Sequence, residues 1–362
     1  MCSSEEYARS FLQFAFSYEL PLTMKTLLTG GAGYIGTHTA IELLQHGHDV
    51  VIFDNFSNSH IEAVRRVEAI TGQHVPTIQG DVRDQYALTD ALTQHGIDSV
   101  VHFAGKKAVG ESVSQPIDYF DNNVNGTLVL LRAMQACKVF KLVFSSSATV
   151  YGTPSYLPLD EHHPTSSTNP YGRSKLMVEE ILADVHHSSS NWALTVLRYF
   201  NPIGAHPSGR IGEDPADIPN NLLPYIAQVA VGRREHIQIF GNDYDTPDGT
   251  GVRDYLHVVD LARGHVKALE RLQHLTGPDL QTINLGTGQG HSVLEVIRAF
   301  EQACGKSLPY IMAPRRPGDI ASCYANPARA QELLGWTAEY DLATMCADAW
   351  RWQSANPKGY RG

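Results

Sequence analysis

The sequence has few cysteines, no long apolar run and no excess of positive charge. Its five cysteines (Cys2, Cys137, Cys304, Cys323 and Cys346) are odd in number and widely scattered. They form neither a metal-ligand spacing nor a paired framework, so a reducing cytoplasmic setting and no metal are expected. No stretch approaches the ~20 apolar residues that a membrane-spanning helix needs. Lys and Arg number 28 against 38 Asp and Glu, a formal net charge of −10. That balance argues against nucleic acid or an anionic membrane as a general partner, though a few local arginines could still hold an anionic ligand. Residues 1–23 contain an apolar patch around Phe11, Phe14 and Phe16. Glu5 and Glu6 precede it and a basic leader is lacking, so a signal peptide fits poorly. They are read as an N-terminal extension of unknown role.

What is present is apolar material for a core, 43% of the 362 residues, and one conspicuous loop. Thr26-Leu27-Leu28 reads as a buried strand, Gly30, Gly33 and Gly36 punctuate a turn, and an amphipathic helix follows from Thr37 to Leu44. Glycines at this spacing let backbone approach a pyrophosphate, and the helix N-terminus offers free N–H donors. A second strand, residues 49–53, runs into Asp54, where an acid can accept from ribose hydroxyls. That pattern favours NAD over its 2′-phosphorylated form.

Strands and helices continue to alternate. Residues 76–82, 99–105, 141–147 and 195–201 read as strands, and those near 85–95, 119–137 and 171–185 as helices. This pattern predicts an α/β fold with a doubly wound parallel Rossmann sheet. Beyond Asn201 the chain becomes rich in Pro, Gly, Asn and Asp, which suggests a smaller mixed α/β lobe. The expected division is a dinucleotide-binding domain over 24–201, revisited around 253–284, and a substrate-binding domain over 202–362. Asp54, Asp81, the residues from Phe103 to Lys107, Ser145 to Ser147, and Phe200 with Asn201 fall at carboxyl ends of strands and should line one crevice.

Tyr171 and Lys175 lie i, i+4 on one helix face. A phenol titrates near pH ~10 and is a poor base unless a cation favours its anion. Lys175 supplies one such charge and an oxidised nicotinamide would supply another. Ser147, at a strand end facing the same crevice, could orient or relay the proton. A surface Tyr–Lys pair and a backbone-capping serine are the plain alternatives.

With these residues in hand, the chain resembles the extended short-chain dehydrogenase/reductase family, in its NAD-dependent epimerase branch. The stretches TGGAGYIGTHTA, HFAGKKAVGESV, FSSSATVYG, NPYGRSKLMVE, LRYFNPIGAHPSG, FGNDYDTPDGTGVRDYLHV and APRRPGD carry the likeness, which spans nearly all of 24–362. The resemblance implies NAD contacts at Tyr34, Ile35, Asp54, Asn55, Phe56, Ser57, Asn58, Ser59, Asp81, Val82, Phe103, Ala104, Gly105, Lys107, Asn122, Tyr171, Lys175 and Phe200. It implies catalysis by Tyr171 with Ser147 and Lys175. Lys106 stands where relatives carry leucine and is expected to face solvent. For a UDP-sugar substrate the implied contacts are Ser147, Tyr171, Asn201, Asn221, Leu222, Gln238, Ile239, Phe240, Arg253, Arg316, Asp319 and Cys323. Arg253 and Arg316 suit a diphosphate through charge-assisted bonds; Arg315 reads as a surface salt-bridger.

The activity so implied is inversion at carbon 4 of a UDP-linked sugar, glucose to galactose and back, through transient oxidation by retained NAD. Cys323, small where some relatives carry tyrosine, leaves room for an N-acetyl group on carbon 2. The rival readings are a nucleotide-sugar 4,6-dehydratase and a non-catalytic NAD-binding module. The dehydratase needs an Asp-Glu pair where this chain has Ala148 and Thr149. Helices near 119–137 and 171–187 are expected to pair two copies into a homodimer.

Overall fold

In the computed structural model, residues 23–215, 219, 221–316 and 318–361 are described; the extension over 1–22 lies outside them. Six strands come in the order the alternation predicts. They are β1 (Lys25–Thr29), β2 (Asp49–Asp54), β3 (Thr77–Gln79), β4 (Ser99–His102), β5 (Lys141–Ser147) and β6 (Ala193–Tyr199). With a later strand, Asp279–Leu285, they form one seven-stranded sheet whose neighbouring strands all run parallel. Both faces of this sheet are covered, which explains apolar runs without polar alternation. Leu28 and Ile52 enter one core layer; Leu27, Val51 and Phe53 enter the other. The helix Tyr34–Gln45 packs with Val258–His274 on the first face, and Gln85–Gln94 packs with Gly126–Ala136 on the second.

Three departures from the pattern bear on the site. β3 stops at Gln79 rather than running on to Val82; Gly80 packs so closely on Phe53 that a Cβ would sit 2.4 Å from its ring, and the chain turns at Val82 and Arg83. The run 195–201 splits after Tyr199. Asn201–Ile203 (β7) leaves the large sheet and pairs with Tyr255–His257, so the backbone crosses between lobes at Phe200. The helix expected over 119–137 is broken into Pro116–Phe120 and Gly126–Ala136 by a π-turn at Asp121–Asn125. Such a turn inserts one extra residue and often re-aims a side chain at a functional site. Here Asn123 turns inward, accepting from the Lys106 N–H at 2.8 Å and donating to Ser174 Oγ at 2.9 Å.

The second lobe has its own core, with Leu223, Ile226, Ile237, Ile239, Val296, Ile297 and Phe300 at its centre. Helices Leu222–Ala230, Val293–Cys304 and Leu342–Ala355 supply it. Among the described residues no helix is long and apolar enough to cross a membrane.

Candidate active site

The glycine loop leaves β1 with Gly30 at φ +69°, a left-handed conformation that side chains resist, and a Cβ there would lie 2.7 Å from the Ala104 nitrogen. A Cβ at Gly36 would sit 2.6 Å from Gly31 Cα, so the helix start packs directly on the loop. Gly33 is the N-cap and no side chain caps this helix. Its first N–H groups are therefore available to an anion, as pyrophosphate binding requires.

Asp54 ends β2 and is 7% exposed. Its carboxylate accepts from Ala32 N–H (3.0 Å), Phe56 N–H (2.8 Å) and Ser59 Oγ (2.8 Å). Burial raises its pKa against these bonds. It thus organises the loop that follows as well as facing the cavity.

That cavity, about 710 Å³, is lined by the glycine loop, Asp54, Asn55, Ser57, Asn58, Ser59, Val82, Phe103, Ala104, Gly105, Lys107, Asn122, Tyr171 and Lys175. Three expected cofactor residues are not in its wall. Phe56 packs against the core. Asp81 is bound to Arg83 at 2.8 Å and accepts from Asn55 Nδ2 at 3.1 Å, so it positions Asn55. Phe200 is buried among Val150, Tyr151 and Cys323.

Tyr171 and Lys175 sit on the helix Pro170–Ser188, which Pro170 opens and Asn169 caps through the Gly172 N–H at 2.9 Å. Lys175 Nζ donates to the Ser145 carbonyl at 2.8 Å. Ser147 Oγ accepts from the Thr149 backbone and hydroxyl at 3.2 and 3.0 Å. Burial pushes the Tyr171 phenol well above its ordinary pKa, Tyr199 adds to this, and Ser147 pulls the other way. Burial lowers Lys175 to about 8 against the pull of Glu179. Among the protein's own groups burial dominates at Tyr171, so the positive charge expected from an oxidised nicotinamide would act beside Lys175 to favour the phenol's anion.

Behind this group Glu179 forms a buried ion pair with Arg198 and accepts from Ser146. It locks the Tyr171 helix to the sheet. A Glu one turn beyond Lys175 carried no local signal of this, because its partner lies on another strand.

The second-lobe residues form a separate group. Of the expected substrate residues outside the Tyr171 helix, only Asn221 lines the cavity, donating to Glu213 Oε1 at 3.0 Å. Arg316 binds Asp319 at 2.8 Å and lies over the Phe240 ring at 4.8 Å. Arg253 donates to the Val252 carbonyl at 2.8 Å. Both arginines oppose the burial that raises the Tyr244 and Tyr255 phenols. Gln238 and Asn201 are exposed and Leu222 half-buried, whereas Ile239 points into the lobe core and offers only its backbone. Cys323 is buried against Phe200 and Tyr151, with its thiol pushed up to about 11. Arg315 makes the expected surface pair, with Asp243 at 2.7 Å. Lys106 is half-exposed between Glu111 and Asp118, each 3.9 Å away, and its residue also borders the cavity.

A family model described as GDP-mannose 4,6 dehydratase matches residues 27–349. The UDP-glucose 4-epimerase of Bacillus subtilis is 57% identical over 338 residues, covering 93% of this chain and 99% of that protein. The human UDP-glucose 4-epimerase is 56% identical over 343 residues, covering 93% and 98%. The chain belongs to the UDP-glucose 4-epimerase family. A solved structure, UDP-glucose 4-epimerase from Bifidobacterium longum in complex with NAD+ and UDP, is 55% identical. It superposes with a TM-score of 0.89 over 92% of this chain and 99% of that one. The dehydratase named by the family model would need acid–base groups at positions 148 and 149. Ala148 has none to offer, and the Thr149 hydroxyl is engaged with Ser147.

Proposed function

We propose that the protein interconverts UDP-glucose and UDP-galactose using NAD held through turnover, with 24–201 serving the cofactor and 202–362 the UDP-sugar. One observation carries this. Tyr171 and Lys175 stand in the wall of the same cavity as the uncapped glycine loop and Asp54. The side-chain-free cradle at Gly30, Gly33 and Gly36 fits a pyrophosphate, and the Asp54 carboxylate fits ribose hydroxyls. Bound there, NAD supplies reversible two-electron oxidation at sugar carbon 4.

The residues of the chain do the rest. Tyr171 takes the 4-hydroxyl proton and later returns it, Ser147 orients that hydroxyl, and Lys175 holds positive charge beside the phenol. Asn221, Arg253 and Arg316 grip uridine and diphosphate, and Asp319 accepts from the ribose. The sugar is left loosely held, so the 4-keto form can present its other face. Purified protein given UDP-galactose should form UDP-glucose. Its failure to do so, with a dinucleotide bound, would favour the non-catalytic module.

A second reading concerns the carbon-2 substituent. Cys323 is smaller than the tyrosine that some relatives carry at this position, which supports activity on the N-acetylated pair, UDP-GlcNAc and UDP-GalNAc. Cys323→Tyr should suppress turnover of those substrates at least tenfold more than that of UDP-galactose; equal losses would sink the gatekeeper role. Val109, Val113 and Ile117 are exposed on short helices at the flank of the large sheet, with Met177 exposed on the Tyr171 helix. These apolar positions support pairing of two copies in the cytoplasm, which a light-scattering mass would test.

A further inference from the structure

One wall of the cavity comes from residues to which the proposed chemistry gives no role. Glu213, Asp214, Tyr360 and Arg361 line the same cavity as the glycine loop, and Glu213 and Tyr360 act electrostatically on Tyr34 at its end. The Glu213 side chain is only 9% exposed, and its Oε1 accepts from Lys107 Nζ at 2.9 Å. Lys107 stands on the loop after β4, so this ion pair joins the large sheet to the second lobe across the cavity mouth.

Residues 209–215 are in turn fastened by the C-terminal turn Gly359–Arg361. The Tyr360 N–H donates to Asp214 Oδ2 at 2.8 Å, and its hydroxyl accepts from the Gly212 N–H and donates to the Gly212 carbonyl, both at 3.1 Å. Two glycines make the fit possible. Gly359 adopts φ +69°, and a Cβ there would collide with the Asp214 carboxyl at 2.1 Å. A Cβ on Gly212 would lie 2.4 Å from the Trp352 indole, whose Nε1 donates to the Glu213 carbonyl at 3.3 Å. Arg66 backs the assembly from the helix Ile61–Thr71. Its guanidinium lies 5.6 Å from the Trp352 ring centroid and 5.2 Å from that of Tyr360, and it donates to the Arg210 carbonyl at 2.9 Å. A segment tied at both lobes in this way has little freedom, and it lines the cavity whose glycine loop would receive a dinucleotide phosphate.

We propose that residues 209–215 and the C-terminal turn act as a strap that retains the cofactor, with the Glu213–Lys107 ion pair as its clasp. The proposal rests on the reading that the cavity holds a dinucleotide through turnover. An enzyme that re-reduces its own oxidised substrate gains nothing from cofactor exchange, so slow release is the property such a strap would confer. Glu213 and Tyr360 are positioning residues, acting on release rather than on the reacting atoms.

The test follows the bound dinucleotide rather than the reaction. Purified full-length protein is mixed with excess isotopically labelled NAD, and the bound pool is sampled by mass spectrometry over hours. Glu213→Gln preserves shape and can still accept from Asn221 but breaks the clasp, and it should shorten the exchange half-life tenfold or more. Tyr360→Ala should act in the same direction. An unchanged half-life in folded Glu213→Gln protein, checked by far-UV circular dichroism, overturns the strap even if Tyr360→Ala does not fold. Exchange in the unsubstituted protein as fast as mixing also overturns it, leaving the cofactor reading intact. Protein that neither carries nor takes up any dinucleotide overturns both, and shows itself by having no bound pool to follow.

Discussion

On the sheet side of the cavity the polar groups are buried and already engaged. Lys175 is 5% exposed and bonded to the Ser145 carbonyl, Tyr171 is 7% exposed, and Asp54 holds three donors. On the second-lobe side the Arg316 side chain is 53% exposed, paired with its neighbour Asp319 and lying over the Phe240 ring. The first group is preorganised, so its effects should fall on the chemical step. The second must exchange internal partners for a ligand, so its effects should fall on binding.

The largest expected effect tests the preorganised side. Tyr171→Phe removes the proton acceptor while keeping the ring, and kcat for UDP-galactose should fall about 10²–10⁴-fold with KM little changed. A loss confined to KM would break the division between the two sides.

The next effect concerns stability and again separates the halves. His38, His102 and His265 all belong to the sheet lobe, are buried, and burial holds them at about 3, 3 and 4 respectively. An unfolded histidine titrates near pH ~6.5. Below that value the unfolded chain binds protons that the folded chain refuses, so stability falls as pH drops from about 6.5 towards 4. Each histidine contributes up to about 1.4 kcal/mol per pH unit in that window. Urea unfolding at pH 7.5 and 5.5 should show the loss; replacing His102 by Gln, which can still bridge Thr29 and Thr127, should reduce it. Equal stability at the two pH values would contradict the buried neutral state.

These contrasts also explain what could be read from residues alone. The glycine loop, Asp54 and the Tyr171–Lys175 pair are written in short spacings, and the alternation of apolar runs is enough to specify a parallel sheet. Asp81 and Phe200 fall at strand ends, yet Arg83 claims the first and the crossing between lobes buries the second. No local spacing announces Glu213, whose partner Lys107 lies 106 residues away, or Tyr360, which meets Asp214 at a separation of 146. Asn123 was hidden for another reason: only the π-turn, not the helical period, aims it inward.

A smaller effect should appear on the binding side. Arg253→Ala removes one cation from the proposed diphosphate grip, and a charge-assisted bond contributes roughly 1.5–3 kcal/mol. KM for UDP-galactose should rise about ten- to a hundredfold with kcat within a few-fold of the parent. A matching fall in kcat without a KM change would move Arg253 to the preorganised class.

The smallest effect, at Asp319, is the most discriminating, because two consequences oppose each other there. Asp319→Asn weakens the internal bond to Arg316, which frees the guanidinium for a diphosphate. It also replaces a charged acceptor for the ribose hydroxyls with a neutral one. Because the Arg316 side chain is 53% exposed, solvent screening keeps the internal pair weak, of the order of 1 kcal/mol or less. The two changes should nearly cancel, leaving KM within about fivefold of the parent, by the same small magnitude. The balance can be separated with UDP alone, by calorimetry at low and high salt. Raising the salt concentration loosens the Arg316–Asp319 pair in the parent but has no ion pair to loosen in the variant. The salt dependence of UDP binding should therefore be steeper in the variant, where only attraction to the diphosphate remains to be screened. Identical salt slopes would show that Arg316 does not exchange Asp319 for the ligand, and the contrast between an engaged wall and an exchanging wall would then fail at this residue.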